Sequence, residues 1–383
     1  MTNTLCMKCK EFGSVVLRGK DTYCQKCFLA NVTHKVRSSL GKNKLMRSHE
    51  KVLLTLSGGC SSTTMLDILN NAIKLDTHKK LRVEAICLHV MGCERPQLPV
   101  EKQQSIAKKL IDTCDALGVQ IHIVHLSDLE YDQIPDNTPN TLPILNNQNI
   151  EKVDKILAST TPTSRTDYIY KMRQKVFIKY AEKLNCDYIF VADSAVTMAT
   201  NMLSGIVVGR GKQVEHDVGF CDSRNKINIL RPMKGVTLEE INDYIAIKKL
   251  EIVHNSPSNN GNSLQNAIQS FVMDLQDNFQ ATISTVCKTA DKIGIQSSQE
   301  INTHKICTLC ESPLNDDESK LTALQATNFS RAISTNPKHF NDETNVRNNL
   351  DYKNVMFPLI NEVLCYGCSR TYSEFKEPVV FKK

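Results

Sequence analysis

Short apolar runs alternate with stretches of helical periodicity through the middle of the chain. Residues 51–56 are a strand-length run, followed by Ser57-Gly58-Gly59-Cys60-Ser61-Ser62. Beyond this loop Met65, Leu66, Leu69 and Ile73 recur at helical spacing over residues 63–74. Residues 81–90 predict a second strand. Residues 100–117 predict a helix with Ile106, Leu110, Ile111 and Leu117 on one face and Gly118 as its C-cap. Residues 119–126 alternate, with Val119, Ile121 and Ile123 set against Gln120, His122 and Val124, and predict a third strand. A helix over 167–184, a strand over 187–192 and a brief strand over 227–230 follow. An amphipathic helix over 237–250 opens with a Thr237-x-x-Glu240 capping box. This order predicts an α/β fold: a parallel sheet with helices on both faces. Residues 136–149 and 255–262, rich in Asn and Pro, are expected to be loose. Residues 315–349, polar throughout, are expected to form a partly ordered insertion.

Composition narrows the class without naming a function. The 383 residues suffice for two or three domains, and 41% apolar with 23% charged residues is ordinary globular usage. A net charge of +6 is compatible with an RNA partner but does not demand one. Trp is absent and aromatics are 6%, so contacts to nucleic acid would rest on Lys and Arg rather than on stacking. Arg165, Lys171, Arg173, Lys175, Arg210, Lys212 and Arg231 are candidates for touching phosphate. Taken one at a time, a solvated helix face is the simpler reading. The first residues lack a basic start and apolar run, and no apolar stretch is long enough to span a bilayer. A cytoplasmic location is therefore expected, where 15 cysteines point to metal ligation or catalysis rather than disulfides.

Eight of those cysteines form four Cys-x-x-Cys pairs, two near each end. Cys6/Cys9 and Cys24/Cys27 are separated by 14 residues, with residues 14–18 able to form one arm of a hairpin. Two such turns supply a tetrahedral set for zinc with all four positions filled, which is a structural site. Cys307/Cys310 and Cys365/Cys368 are separated by 54 residues, so a shared site requires the intervening chain to loop out. Neither pair is expected at the head of a helix that follows a strand, as a redox thiol would be. Zinc is the preferred occupant, although four thiolates also suit an iron–sulfur cluster. Cys60, Cys87, Cys93, Cys114, Cys186, Cys221 and Cys287 remain unpaired by spacing and read mostly as core residues. Cys60, inside the loop, is the one placed to act as a nucleophile.

The loop Ser57, Gly58, Gly59, Ser61 and Ser62 stands between a strand and a helix, where backbone N–H groups and the helix dipole favour phosphate. It is not a Walker A loop, because the spacing and the lysine are missing. It resembles the Ser-Gly-Gly-x-Asp-Ser pyrophosphate loop of the N-type ATP pyrophosphatases. Together with the flanking cysteine pairs and the segment 229–241, which contains Arg231-Pro232, it resembles the tRNA-thiolating branch of that superfamily. Within that branch the resemblance runs, from Cys6 to Cys368, to the cytoplasmic tRNA 2-thiolation protein 2 family.

The resemblance implies three regions: residues 1–35, a zinc-ribbon-like module with four cysteines; 45–254, the PP-loop-like α/β domain; and 255–383, a C-terminal region with a linker, a helix and the split four-cysteine site. It implies a heterodimer with a catalytic PP-loop homologue that 2-thiolates the wobble uridine of tRNAs for Lys, Glu and Gln. A thiocarboxylated ubiquitin-like carrier protein would deliver the sulfur, and neither DNA nor membrane is an expected partner. Departures from the active subunits imply a non-catalytic role. Ser61 stands where the loop has Asp. Residues 191–197 keep Asp193 but have no histidine and no acidic pair, and residues 161–166 and 252–257 contain no cysteine. No catalytic residue is therefore assigned and an iron–sulfur cluster is not expected, while binding of ATP and Mg stays open. Two other readings remain: an independently active ATP-dependent tRNA thiolase, and a zinc-ribbon scaffold with no RNA role.

Overall fold

The structure, a computed structural model, describes residues 5–17, 21–42, 46–77, 80–94, 98–131, 134–253, 262–279, 281–294, 306–314 and 364–375. A hairpin of β1 (Val15–Leu17) and β2 (Asp21–Tyr23) leads into α1 (Gln25–Lys42). The central part runs β3 (Glu50–Thr55), α2 (Cys60–Lys74), β4 (Val83–Met91), α3 (Val100–Leu117), β5 (Gln120–His125), α4 (Asn147–Ala158), α5 (Pro162–Lys183) and β6 (Tyr188–Phe190). It continues through α6 (Ala195–Val207), α7 (Val214–Val218), β7 (Cys221–Asp222), β8 (Asn228–Leu230) and α8 (Leu238–Lys248). Then come α9 (Leu264–Asn278), α10 (Thr282–Gly294) and α11 (Tyr366–Ser373).

Six strands form one sheet in the order β5-β4-β3-β6-β8-β7, parallel except for β7, which pairs antiparallel with β8. The order reverses between β3 and β6. That is the switch point at whose C-terminal crevice open α/β sheets bind ligands, and the loop 57–62 and Asp193 both stand there.

Both sheet faces are dry. Val52, Leu54, Phe190 and Leu230 point to one face, against Met65 and Leu69 of α2, Leu110 of α3, Ile241 of α8 and the Phe28-Val32-Val36-Leu40 stripe of α1. Leu53, Leu88, Ile189 and Ile229 point to the other, against Ile169, Val176 and Phe177 of α5 and, further out, Cys307, Leu309, Leu364 and Cys368. Each fully buried side chain of this size contributes about 1.5–3 kcal/mol. The two ends of the chain are thus built into the cores of opposite faces.

The predicted α/β fold is the observed one. The helix at 100–117 has the expected bounds, and Gly118 ends it in the left-handed conformation at φ 67°. Strand β5 is found where the sequence placed it, and although its residues alternate it buries both sides, with His122 and His125 inside. Other elements differ from expectation. Residues 136–149 are not loose. Asn140 donates its backbone N–H to Ile121 O (2.7 Å) and accepts the Ile121 N–H on its side chain (2.9 Å), and the Asn137 amide donates to Ile123 O. This segment covers the edge of β5, which would otherwise offer open hydrogen-bonding groups. Helix α6 was not expected because its sequence is apolar nearly all round; it is enclosed by α7, α9 and α10. Residues 315–349 and 255–261 lie outside the described residues.

Helix α8 starts as its capping box requires. Thr237 Oγ1 accepts the Glu240 N–H (3.3 Å), Glu240 Oε2 accepts the Thr237 N–H (3.1 Å), and Lys35 of α1 reaches Glu240 at 2.5 Å. Thr237→Ala is expected to cost about 1 kcal/mol, seen as a lower urea midpoint with an unchanged slope.

Candidate functional sites: two cysteine centres and the switch-point loop

Each centre starts from the same local turn. At the N-terminal end Leu5 bridges Phe12, Cys6 donates its N–H to Glu11 O (2.7 Å), and Lys10 donates to Cys6 O (3.0 Å) with φ 63°. At the C-terminal end Ile306 bridges Pro313, Cys307 donates to Ser312 O (2.9 Å), and Glu311 donates to Cys307 O (2.8 Å) with φ 58°. The second pair of each centre lies at a helix start: α1 begins one residue after Cys24, and Cys365 is the N-cap of α11. Cys365 heads a helix, but the residues before Leu364 lie outside the described ones, so no strand leading into it is described. Backbone N–H groups there point toward sulfur, as from Cys27 to Cys24 Sγ (3.4 Å).

These turns bring together all eight cysteines singled out in the sequence. Cys6, Cys9, Cys24 and Cys27 have sulfurs within 4.8 Å of one another, and so do Cys307, Cys310, Cys365 and Cys368. The Cys9–Cys24 and Cys310–Cys365 pairs are each 3.6 Å apart, close to the ~3.8 Å edge of a tetrahedron built on metal–sulfur bonds of ~2.3 Å. The thiols perturb one another accordingly. The backbone N–H of Cys9 is the largest influence pulling Cys6 down to about 6. Hydrogen bonding to Cys24 pushes Cys27 up to about 12. In the other centre a hydrogen bond with Cys310 opposes ionisation of Cys307, yet those with Cys365 and Cys368 bring it down to about 6. Four thiols this close cannot all ionise without a cation among them, and a metal ion is the group that this donor set fits.

The surroundings of the two centres differ. Cys9 is exposed, with Glu11 Oε2 3.7 Å from its sulfur. Around the C-terminal centre, Lys171 of α5 donates to Cys368 Sγ at 3.0 Å and to Asp167 at 2.6 Å. Arg210 reaches the other Asp167 oxygen at 2.5 Å, and Thr371 of α11 donates to Asp167 at 3.0 Å. Arg224 bonds Asp217 (2.7 Å), Asp222 (2.6 Å) and Ser312 Oγ (2.8 Å), and Lys175 donates to Thr308 O.

These contacts correct the reading of the basic residues. Lys171, Arg210 and Arg231 are neither phosphate contacts nor part of a solvated face: all three are buried and paired with carboxylates. Arg173 lies over the Tyr170 and Phe177 rings, 5.8 and 5.9 Å from their centroids, and Arg165 donates to Thr160 O. Nothing is described for the Lys212 side chain.

At the switch point Gly58 has φ 81°, and a Cβ there would meet Leu110 at 3.2 Å, so glycine is required twice over. The hydroxyls of Ser57 and Ser62 bond each other at 3.0 Å, and Ser62 also donates to Gly59 O (3.1 Å). Gly59 N-caps α2 without a side-chain partner, and Ser61 lies in the first turn. His89 Nδ1 stands 2.8 Å from Leu56 O and fixes the strand end; no sequence motif marked it. Asp193 faces buried Arg231 at 3.4 Å, so its charge is already balanced. A cavity of about 450 Å³ opens between Leu66, Lys109, Leu250 and Val253, but neither residues 57–62 nor Asp193 line it.

No cysteine stands at the start of α5. Thr161 caps the helix, and Thr161 and Ser164 both donate to the Glu374 carboxylate just past α11. Leu264 N–H bonds Thr163 Oγ1 at 3.0 Å, so the start of α9 lies against the same turn.

The sheet order, its parallel strands and a Gly-Gly loop at the switch point define a PP-loop ATP pyrophosphatase-like fold. A solved U34-tRNA thiolase from Methanococcus maripaludis, determined with its [4Fe-4S] cluster, shares the fold. Its TM-score is 0.59 at 18% identity, over 85% of this chain and 98% of that one. Residues 263–370 match the family model for cytoplasmic tRNA 2-thiolation protein 2. Proteins of that name from Aedes aegypti (30% identical; 86% of this chain, 80% of that protein) and Drosophila melanogaster (31%; 86% and 81%) match along most of their length. The chain belongs to the cytoplasmic tRNA 2-thiolation protein 2 family.

Burial pushes the Asp167 carboxyl up, but Lys171 and Arg210 outweigh it and hold the group down to about 2. Its folded value lies below the unfolded ~3.9. The resulting stability is therefore present above about pH 4 and lost as pH falls through about 2. Asp167→Asn, which strands two buried cations, is expected to cost about 3 kcal/mol at neutral pH. In urea unfolding, its gap from the parent chain should close between about pH 4 and 2.

Proposed function

We propose that the chain is the accessory subunit of a cytosolic tRNA 2-thiolation complex, paired with a catalytic PP-loop homologue. Family membership supports the role in tRNA 2-thiolation. The observation that carries the accessory reading is the charge state of the switch point. Ser61 occupies the loop position where the resembled motif has a carboxylate, Asp193 is matched by Arg231, and Thr161 to Thr166 contribute no thiol. Adenylating an oxygen of uridine draws on metal-bridged phosphates, and loss of a carboxylate from that centre removes several kcal/mol of transition-state stabilisation. Sulfur transfer needs a free thiolate or a cysteine-held cluster beside the nucleotide. The eight paired cysteines lie instead in their own four-sulfur centres.

In this reading the partner performs the chemistry on wobble uridine of tRNAs for Lys, Glu and Gln, with sulfur from a thiocarboxylated ubiquitin-like carrier. The present chain supplies fold support and RNA-facing surface in the cytoplasm. Zinc occupies both cysteine centres. Sulfurs within 4.8 Å of one another enclose a single ion, whereas the ligands of a four-iron cube stand at its outer corners, farther apart. The zinc is structural: no coordination position is left open for substrate.

The test is tRNA thiolation by this chain, by the partner and by the two mixed, with ATP, magnesium and a sulfur donor. Thiolation only in the mixture, undiminished by Cys60→Ala, is expected. Thiolation by this chain alone would make it an enzyme in its own right. Metal analysis of the purified chain should give two equivalents of zinc. Cys24→Ser/Cys27→Ser and Cys365→Ser/Cys368→Ser should each remove one, and iron with acid-labile sulfide would contradict the assignment.

A further inference from the structure

The C-terminal centre contains a side chain that the structural-zinc reading does not call for. Lys171 is 4% exposed, and its amine sits between Asp167 and the Cys368 sulfur. Asp167 is not its only partner: Arg210 takes one Asp167 oxygen, and Thr371 shares the other with Lys171. Lys171 and Arg210 both pair with Asp167, and Lys171 also reaches beyond it to a sulfur. A buried ammonium is costly unless acceptors of opposite sign adjoin it, and here these are Asp167 and Cys368. Farther out, Arg224 pairs with both Asp217 and Asp222, a cluster with one negative charge in excess. Four thiolates around a divalent ion carry a net charge of minus two, and the Lys171 ammonium points at one of those sulfurs. The N-terminal centre is arranged otherwise: Cys9 faces solvent and the carboxylate nearest its sulfur is that of Glu11.

We propose that Lys171 is the outer-shell partner of the C-terminal centre, a buried ammonium that hydrogen-bonds the metal-bound Cys368 thiolate and sets this centre apart from its N-terminal twin. The inference rests on the metal reading of that centre. Lys171 positions and polarises the sulfur without ligating metal itself. Its hydrogen bond withdraws electron density from the thiolate, which weakens donation to the metal, while its charge stabilises the ionised form and so tightens retention. Outer-shell partners of this kind change metal affinity by about 10–100-fold.

Cobalt(II) serves as the probe, in the full chain carrying Cys6→Ser and Cys9→Ser so that only the C-terminal centre gives a thiolate–cobalt spectrum. Lys171→Met, which leaves Asp167 paired with Arg210, is compared with the parent chain and with Lys171→Arg. With Lys171 removed, the thiolate-to-cobalt charge-transfer band should move to lower energy and cobalt should bind about 10-fold more weakly or worse. Lys171→Arg should restore most of the band position. An unchanged band and affinity after Lys171→Met would overturn the inference while leaving the metal reading intact. Absence of a tetrathiolate spectrum in the parent protein would overturn both. Loss of cobalt binding with no band shift in the residual bound fraction would mean that Lys171 only supports packing, which also contradicts the proposal.

Discussion

One buried carboxylate holds together parts of the chain that are far apart in sequence. Asp167 lies in the first turns of α5. It accepts from Lys171 one turn on, from Arg210 after α6, and from Thr371 on α11, more than 200 residues away. The site is dry, so these bonds act in a low dielectric and none of them can be given up cheaply. Through them the sheet-facing helix α5 is tied to the last described helix. The segment carrying Cys307 and Cys310 is fixed to the same body by Arg224 and Lys175. The core of the second sheet face is therefore continuous with the C-terminal cysteine centre.

The two centres share a turn, a left-handed residue after the second cysteine and a helix start, yet they sit on opposite faces and in opposite surroundings. One is near solvent and rides on α1, which packs against α8. The other is enclosed by cations. Between them lies a switch point whose glycine geometry is intact but whose charges are absent or already matched. At the loop 57–62, Gly58 has a positive φ and lies against Leu110.

Much of this was readable from residue order. The α3 boundaries, Gly118 as its cap, the Thr237–Glu240 box and the pairing of all eight cysteines depend on local rules: helical spacing, capping chemistry and the reach of a Cys-x-x-Cys turn. What depended on tertiary context was not readable. Lys171, Arg210 and Arg231 look like surface cations until the carboxylates that bury them are brought from elsewhere in the chain. His122 looks like a solvent-facing residue of an alternating strand until residues 137–140 cover that edge. Helix α6 has no polar stripe because three helices surround it. Glu374, which accepts from side chains at the start of α5, is invisible to any motif because its partners, Thr161 and Ser164, lie 210 or more residues earlier.

With metal bound, the cysteine centres would fasten the two ends of the described chain to opposite faces of the sheet. Amide hydrogen exchange, with and without a chelator strong enough to strip the metal, tests it most directly. Stripping should release residues 5–17, 306–314, 364–375 and the first turns of α5 into fast exchange while β3, β4 and β6 stay protected. Unchanged protection at both ends, or simultaneous loss across the whole sheet, would contradict it.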